Sequence, residues 1–186
     1  ADWEQESTSE WGTNDQAAIS LAYNMEKVQE YVTNVLGWNS FNNAGAFAKS
    51  TVHVNTAYVN AYWNGSAFFF GDGDGVRANA LTVLDITGHE YGHAITDYSS
   101  DLVYSYESGA LNESYSDILG SLIEFYVQAD GRSSYPQGID GRSDWLCGED
   151  TWLSGEALRD LRDPQLYGQP SYYKGNYWYS GSADYG

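Results

Sequence analysis

The 186-residue chain predicts an α+β fold, and three blocks of sequence carry that expectation. A helical repeat of apolar residues comes first, a strand-like segment punctuated by a hairpin signal follows, and two further helical stretches come after it. Strands grouped together and helices grouped together are the pattern of α+β rather than of alternating α/β folds. The length suits one domain spanning residues 1–186, and 42% hydrophobic residues with 7 Trp and 17 Tyr supply its core.

The first helix is predicted from Thr13 to Gly37. Thr13 with Gln16 fits a capping box, and Ala18, Leu21, Met25, Val28, Val32 and Leu36 recur at helical spacing. Residues 1–12 are polar and acidic and read as a lead-in. Strands are expected at Thr51–Asn55, Tyr58–Trp63 and Ser66–Phe70, the last two flanking Asn64-Gly65, a strong hairpin signal. His53 lies in the first of these, far from the other two histidines, and reads as structural. Gly71-Asp72-Gly73-Asp74-Gly75 fails the EF-hand pattern, because Val76 and Val83 occupy ligand positions, so it reads as a glycine turn. A second helix is expected over Leu81–Tyr98, with Leu81, Leu84, Ile86 and Ile95 as its buried stripe, and a third over Ser108–Ala129. The third carries Leu111, Tyr115, Ile118, Leu122, Ile123 and Tyr126 as apolar stripe and Glu113, Asp117 and Glu124 as facing acids. Gly131–Gly148 reads as a surface loop.

A net charge of −18 argues against nucleic acid or an anionic membrane as partner, since phosphate would be repelled. Bound divalent cations would relieve part of that charge. No run approaches the roughly 20 apolar residues of a spanning helix, and Ala1-Asp2-Trp3-Glu4 is not a signal peptide. Cys147 is the single cysteine, so no intrachain disulfide forms.

The chemistry concentrates in His89-Glu90-Tyr91-Gly92-His93. Histidines four apart share one helix face, near enough for both imidazoles to bind one zinc ion, and the intervening glutamate reaches the open side of the metal. Gly92 would let another element pack close. A catalytic zinc takes three protein ligands and a water, so a third must come from elsewhere. The metzincin extension is excluded by Thr96 and Ser99, and Glu113 on the following helix is the alternative. Asp117, one turn later, can accept a hydrogen bond from the other nitrogen of His89.

With these residues the chain resembles the thermolysin family of secreted neutral zinc metallopeptidases. The likeness is carried by the stretches Asp85–Asp97, Ser108–Asp117 and Asn60–Gly65, and extends from about Asp15 to Gly186. It implies a zincin-like architecture: a small sheet with an edge hairpin, packed on the long helix and the two zinc-binding helices. Two histidines and one glutamate are thermolysin's own established zinc ligands, so the resemblance implies one catalytic zinc on His89, His93 and Glu113. It further implies Glu90 as general base, Tyr104 as partner of the oxyanion, Asn60 and Ala61 as the edge strand that binds substrate backbone, and Arg159 holding a substrate carbonyl. Ile86 and Leu158 match walls of the pocket for the residue after the scissile bond. Asp85, Glu124, Asp144 and Glu149, with the Leu146 carbonyl, match the family's binding site for one or two structural calcium ions.

The resemblance also implies an extracellular protein acting on peptides or proteins, with its own propeptide or the C-terminal helical lobe as further partners. The family uses a downstream histidine that would follow a stretch like Asp184-Tyr185-Gly186. No histidine follows His93, so the expectation is a truncated core, lacking that lobe and part of the N-terminal sheet, that binds zinc but is weakly active or inactive. A noncatalytic metal-binding module is the alternative.

Overall fold

A computed structural model describes residues 15–128 and 144–179. Thr13, the lead-in before it, most of the loop expected after Gly131, and Asp184 lie outside the described residues.

Helix α1 (Gln16–Asn34) is capped by Asp15, whose carboxylate accepts the Ala18 N–H at 3.0 Å, so the cap falls two residues after the expected Thr13. Ala18, Leu21, Met25, Val28 and Val32 are buried as their spacing demands. Leu36 is not: the helix has ended before the turn that Gly37 makes at φ 70°, and the leucine faces solvent.

Three short strands follow: β1 (Ser50–Thr51), β2 (Ala61–Trp63) and β3 (Phe68–Phe70). They form one sheet in the order β1-β3-β2, β1 running parallel to β3 and β2 antiparallel to it, with Ala61 opposite Phe70 and Trp63 opposite Phe68. They are shorter than expected because His53, Asn55 and Ala57 all adopt positive φ, which breaks the extended path between β1 and β2. The hairpin is where Asn64-Gly65 puts it. Asn64 accepts the backbone N–H groups of Ser66 and Ala67 on its own side chain, and its N–H bonds Ala67 O at 3.1 Å.

The Gly71–Gly75 segment is a turn tied by Asp74, which accepts from the N–H groups of Val76, Arg77 and Ala78 and from the Arg77 guanidinium. Helix α2 (Leu84–Tyr98) begins three residues later than expected: the Thr82 carbonyl, which a longer helix would use internally, accepts from the Asn24 side chain of α1 at 2.7 Å. Helix α3 (Tyr106–Val127) packs along it. Beyond α3, β4 (Leu146–Cys147) and β5 (Arg159–Asp160) form an antiparallel pair. The core lies between α1, the sheet and α2, and is built from Met25, Val28, Val32, Phe68, Phe70 and Tyr91, with Ile123 reaching in from α3.

Of the apolar stripe expected to bury α3, Ile123 alone is buried. Leu111, Tyr115, Ile118, Leu122 and Tyr126 are exposed, and the buried face is Gly109, Asn112, Ser116, Asp117, Gly120, Ser121, Ile123 and Glu124. Small and polar residues face α2 because α2 presents Gly88, Gly92 and the histidines there, and only short side chains fit. No described helix is long and apolar enough to cross a membrane.

His53 has a structural role, as expected. Its Nδ1 lies 2.8 Å from Asp72 and its Nε2 3.0 Å from Asp15, so both nitrogens meet carboxylates and both must donate. The bonds to Asp15 and then Asp72 raise the imidazole above its ordinary value, and His53 in turn lowers Asp15. Stability from a raised histidine is fully present below its unfolded pKa and lost as pH rises through the folded one. The pair is half-exposed and worth at most about 1 kcal/mol. The melting temperature of wild type should therefore exceed that of His53→Gln near pH 6, and the gap should close by about pH 9; a gap that is constant over this range would contradict the ion pairing.

Candidate metal centre

The site depends on how closely α2 and α3 approach. A Cβ built on Gly88 would lie 2.9 Å from Gly120 Cα, and one on Gly92 2.8 Å from Ser116 Cα, so the helices meet backbone to backbone at two successive turns. The small Gly92 does what its position suggested. This contact brings Glu113 of α3 against the two histidines of α2.

His89 Nε2 and His93 Nε2 are 2.9 Å apart, and the Glu113 carboxylate lies 3.2 Å from the first and 3.4 Å from the second. Ligand atoms about 2.0–2.1 Å from a tetrahedral zinc are separated by roughly 3.3 Å, so the three groups already stand at the spacing a zinc ion requires. The outer nitrogens are fixed. His89 Nδ1 donates to Asp117 Oδ1 at 2.7 Å, and His93 Nδ1 donates to Asn112 Oδ1 at 2.7 Å with Ser116 Oγ at 3.2 Å. Both Nε2 atoms are thereby aimed at the shared point. Asp117 was legible from the sequence and Asn112 was not; its signal is its place one residue before Glu113 and one turn before Ser116.

Burial opposes charge throughout the site, but close partners overrule it at three groups. Burial works against the His89 cation, yet bonds to Asp117 and Glu113 hold its pKa at about 10. Burial would raise Glu113 and Asp117, yet His89, joined at Asp117 by Arg159, holds each down at about 2. Burial wins at His93, which is lowered. Cation binding displaces a proton from such a cluster and takes over its role as counter-charge.

Glu90 is buried beside them. Its carboxyl accepts the Trp63 N–H of the edge strand, its Oε2 has no partner, and burial raises its pKa to about 7. Such a group takes and gives a proton near neutrality. The half-exposed Tyr104 bonds Glu113 Oε1 through its hydroxyl and sets its ring edge-on to His93 at 5.8 Å. Arg159 donates from Nε and Nη2 to Asp117 at 2.5 and 2.7 Å, so Asp117 links the arginine to His89.

A cleft of about 700 Å³ opens over this centre, lined by Asn60, Ala61, Ile86, Leu158 and Arg159 together with Glu90, both histidines and Tyr104. All five residues expected to contact substrate therefore border one space. Asn64 and Asn60 make their backbone bonds toward β3, which leaves those of Ala61 and Trp63, by alternation, on the open side of β2.

A second acidic group lies behind α3. Ligating oxygens of Glu124, Asp144 and Glu149 fall within 4.8 Å of one another, and Glu124 Oε2 and Glu149 Oε2 are buried without a partner. Burial, then the neighbouring carboxylates, pushes Glu124 up to about 10 and Glu149 to about 8. Asp85 is buried next to them, but its oxygens accept the N–H groups of Ile86 and Gly148, and the Leu146 N–H donates to Asp144 at 2.6 Å.

Two imidazoles and a carboxylate converging on one point, with a buried carboxyl group beside them in a cleft, form an arrangement that could hold a metal ion. The comparisons with known proteins agree. Residues 2–97 match the model of the thermolysin metallopeptidase catalytic domain, and residues 100–186 match that of the thermolysin metallopeptidase alpha-helical domain. The chain is 45% identical over 176 residues to bacillolysin of Bacillus cereus, covering 92% of this chain and 29% of that protein. It is 39% identical over 188 residues to thermolysin of Alicyclobacillus acidocaldarius subsp. acidocaldarius, covering 99% and 32%. Among solved structures it is similar to the precursor of protealysin, a metalloproteinase from Serratia proteamaculans, with a TM-score of 0.71 and 32% identity over 83% of this chain and 47% of that one.

The chain belongs to the thermolysin metallopeptidase family. It spans about 30% of the length of these curated relatives. The match over residues 100–186 assigns the second half of the chain, α3 included, to the family's helical domain. An architecture without that lobe is therefore not what the comparison supports.

Gly120→Ala tests the helix contact. Alanine gains up to about 1 kcal/mol in helix propensity, but its Cβ would lie 2.4 Å from the Asp85 carbonyl, a backbone atom that cannot rotate away. Overpacking of this kind costs about 1–3 kcal/mol. We expect a lower melting temperature together with weaker zinc binding; an unchanged or more stable variant would show that the helices are not in contact here.

Proposed function

We propose that residues 1–186 form one unit carrying the zinc site and proton-transfer base of an endopeptidase. The observation that carries this reading is the convergence of His89 Nε2, His93 Nε2 and Glu113 within 2.9 to 3.4 Å, beside the buried Glu90. His89, His93 and Glu113 would hold the zinc, which would supply Lewis acidity toward a peptide carbonyl and water.

The chain's own groups do the rest. Asp117 and Asn112 hold the imidazoles with Nε2 free to ligate. Glu90 takes the proton from the attacking water and passes it to the leaving amine, a role suited to a carboxyl whose pKa burial has moved to about 7. Tyr104, on the cleft wall, donates to the oxygen that gains charge. Arg159, held by Asp117, reaches a substrate carbonyl. Substrate backbone pairs with the open side of β2 at Ala61, extending the sheet, and the side-chain amide of Asn60 stands beside it. Ile86 and Leu158 give an apolar wall for the side chain after the scissile bond.

A purely structural zinc closes its shell with a fourth protein ligand. Among the described residues three ligating groups converge here, and the remaining side faces Glu90 and the cleft, which disfavours a noncatalytic metal-binding module. With no histidine after His93 to add a second donor to the charged intermediate, turnover by residues 1–186 alone is expected to be slow. Peptides or proteins are the substrates, and an extracellular setting goes with this reading.

The Glu124, Asp144 and Glu149 group is proposed to hold calcium, with Asp85 adding nearby charge and the Leu146 carbonyl a further oxygen. An all-oxygen donor set with buried, unpartnered carboxylate oxygens suits a hard cation, which would relieve the repulsion that raises these groups.

Two experiments test these assignments. Glu90→Gln should keep about one zinc per chain while losing about a hundredfold or more in peptide hydrolysis; hydrolysis at the parent rate would remove Glu90 from the mechanism. Millimolar calcium should raise the melting temperature of the parent chain and a calcium-selective chelator should lower it, and Glu124→Gln should abolish most of the difference. Identical melting with and without calcium would refute the second site.

A further inference from the structure

We infer that Tyr91, the residue midway between the two histidines, sets the rotation of α2 through its hydroxyl and so positions both zinc ligands from behind; this rests on the zinc reading above. Tyr91 is fully buried, its ring stacked on Phe68 at 5.6 Å and edge-on to Phe41 at 5.8 Å. A phenol in such apolar surroundings is costly unless its hydroxyl is satisfied.

The hydroxyl is saturated, and the proton directions can be assigned. Ser40 Oγ donates to Ala46 O at 2.7 Å, which uses its one proton. The 3.1 Å contact between Ser40 Oγ and Tyr91 OH therefore has the tyrosine as donor. Its oxygen accepts from Gln29 Nε2 at 2.5 Å and from the Phe41 backbone N–H. The result is a directed chain, Tyr91 to Ser40 to the Ala46 carbonyl, with Gln29 and Phe41 as donors into it.

These partners belong to two other parts of the fold. Gln29 is on α1, and Ser40, Phe41 and Ala46 lie in the loop that follows α1. Residues 89, 91 and 93 step about 200° each around the helix axis, so Tyr91 points away from both imidazoles and into α1 and that loop. Contact with α3 fixes how near the histidines come to Glu113. That contact, with the Asp117 and Asn112 bonds, holds α2 from the α3 side; on the opposite side apolar packing around the Tyr91 ring is non-directional, which leaves its hydroxyl to hold the turn of the helix there. Hydrogen bonds are directional. A turn of about 10° moves a side-chain tip some 6 Å from the axis by roughly 1 Å, enough to take both Nε2 atoms off a common ion.

Zinc affinity by chelator competition and the visible spectrum of the cobalt-substituted protein report this independently of turnover. Tyr91→Phe should weaken zinc by about tenfold, the lower end for orienting groups, and shift the cobalt bands. Gln29→Leu, which keeps the phenol and removes one donor, should move both readouts in the same direction by less, and it serves if Tyr91→Phe fails to fold. Val32→Ala, a cavity in the buried face of α1 outside this chain of bonds, should lower the melting temperature and leave both readouts unchanged. Zinc affinity within twofold of the parent and an unshifted cobalt spectrum in the tyrosine and glutamine variants would overturn the proposal, as would equal shifts in Val32→Ala. A parent chain that binds no zinc would instead overturn the site reading on which the proposal rests.

Discussion

Everything at the centre of this protein depends on two helices touching through glycine. Gly88 and Gly92 of α2 meet Gly120 and Ser116 of α3 with no room for a methyl group between them. Only at that separation does a glutamate on one helix reach imidazoles on the other. The cost is that, Ile123 apart, the contact is made of small residues and hydrogen-bonded polar side chains. Asn112 and Asp117 serve twice in consequence, filling the interface and holding the histidines.

The same contact explains the electrostatics. Acids with few basic partners are carried into a small volume, and the molecule deals with them in different ways. Asp117 is neutralised by His89 and Arg159. Glu113 faces both imidazoles. Glu90 has no cation bonded to it and is held partly protonated by burial. Glu124 and Glu149 repel each other and their neighbours behind α3. A strongly negative chain that buries carboxylates in this way stores free energy that a bound cation would release.

The edge strand completes the arrangement. Trp63 gives its backbone N–H to Glu90, and its indole N–H bonds Asp97 at 2.5 Å, so β2 is fastened to α2 within the histidine pair and again one turn beyond it. Sheet edge, base and ligands thus share one frame.

The sequence by itself determined the helix carrying the histidines, the hairpin at Asn64-Gly65, the helical face of α1 and the shared face of His89 and His93, because spacing along one element is a local property; it pointed to Glu113 and Asp117 on the next helix, and the contact of α2 with α3 brought them to the histidines. It also indicated Gly92 as a point of close approach. It misled on α3, where Leu111, Tyr115, Ile118, Leu122 and Tyr126 look like a buried stripe and are exposed, since periodicity reports that one face differs from the other and not which neighbour each face meets. Strand ends at His53, Asn55 and Ala57, the His53 bonds to two acids, the support of His93 by Asn112 and the hydroxyl chain from Tyr91 to Ala46 were decided only in the tertiary structure. Each joins residues distant in sequence or depends on a backbone angle set by packing, and neither leaves a periodic trace in the chain.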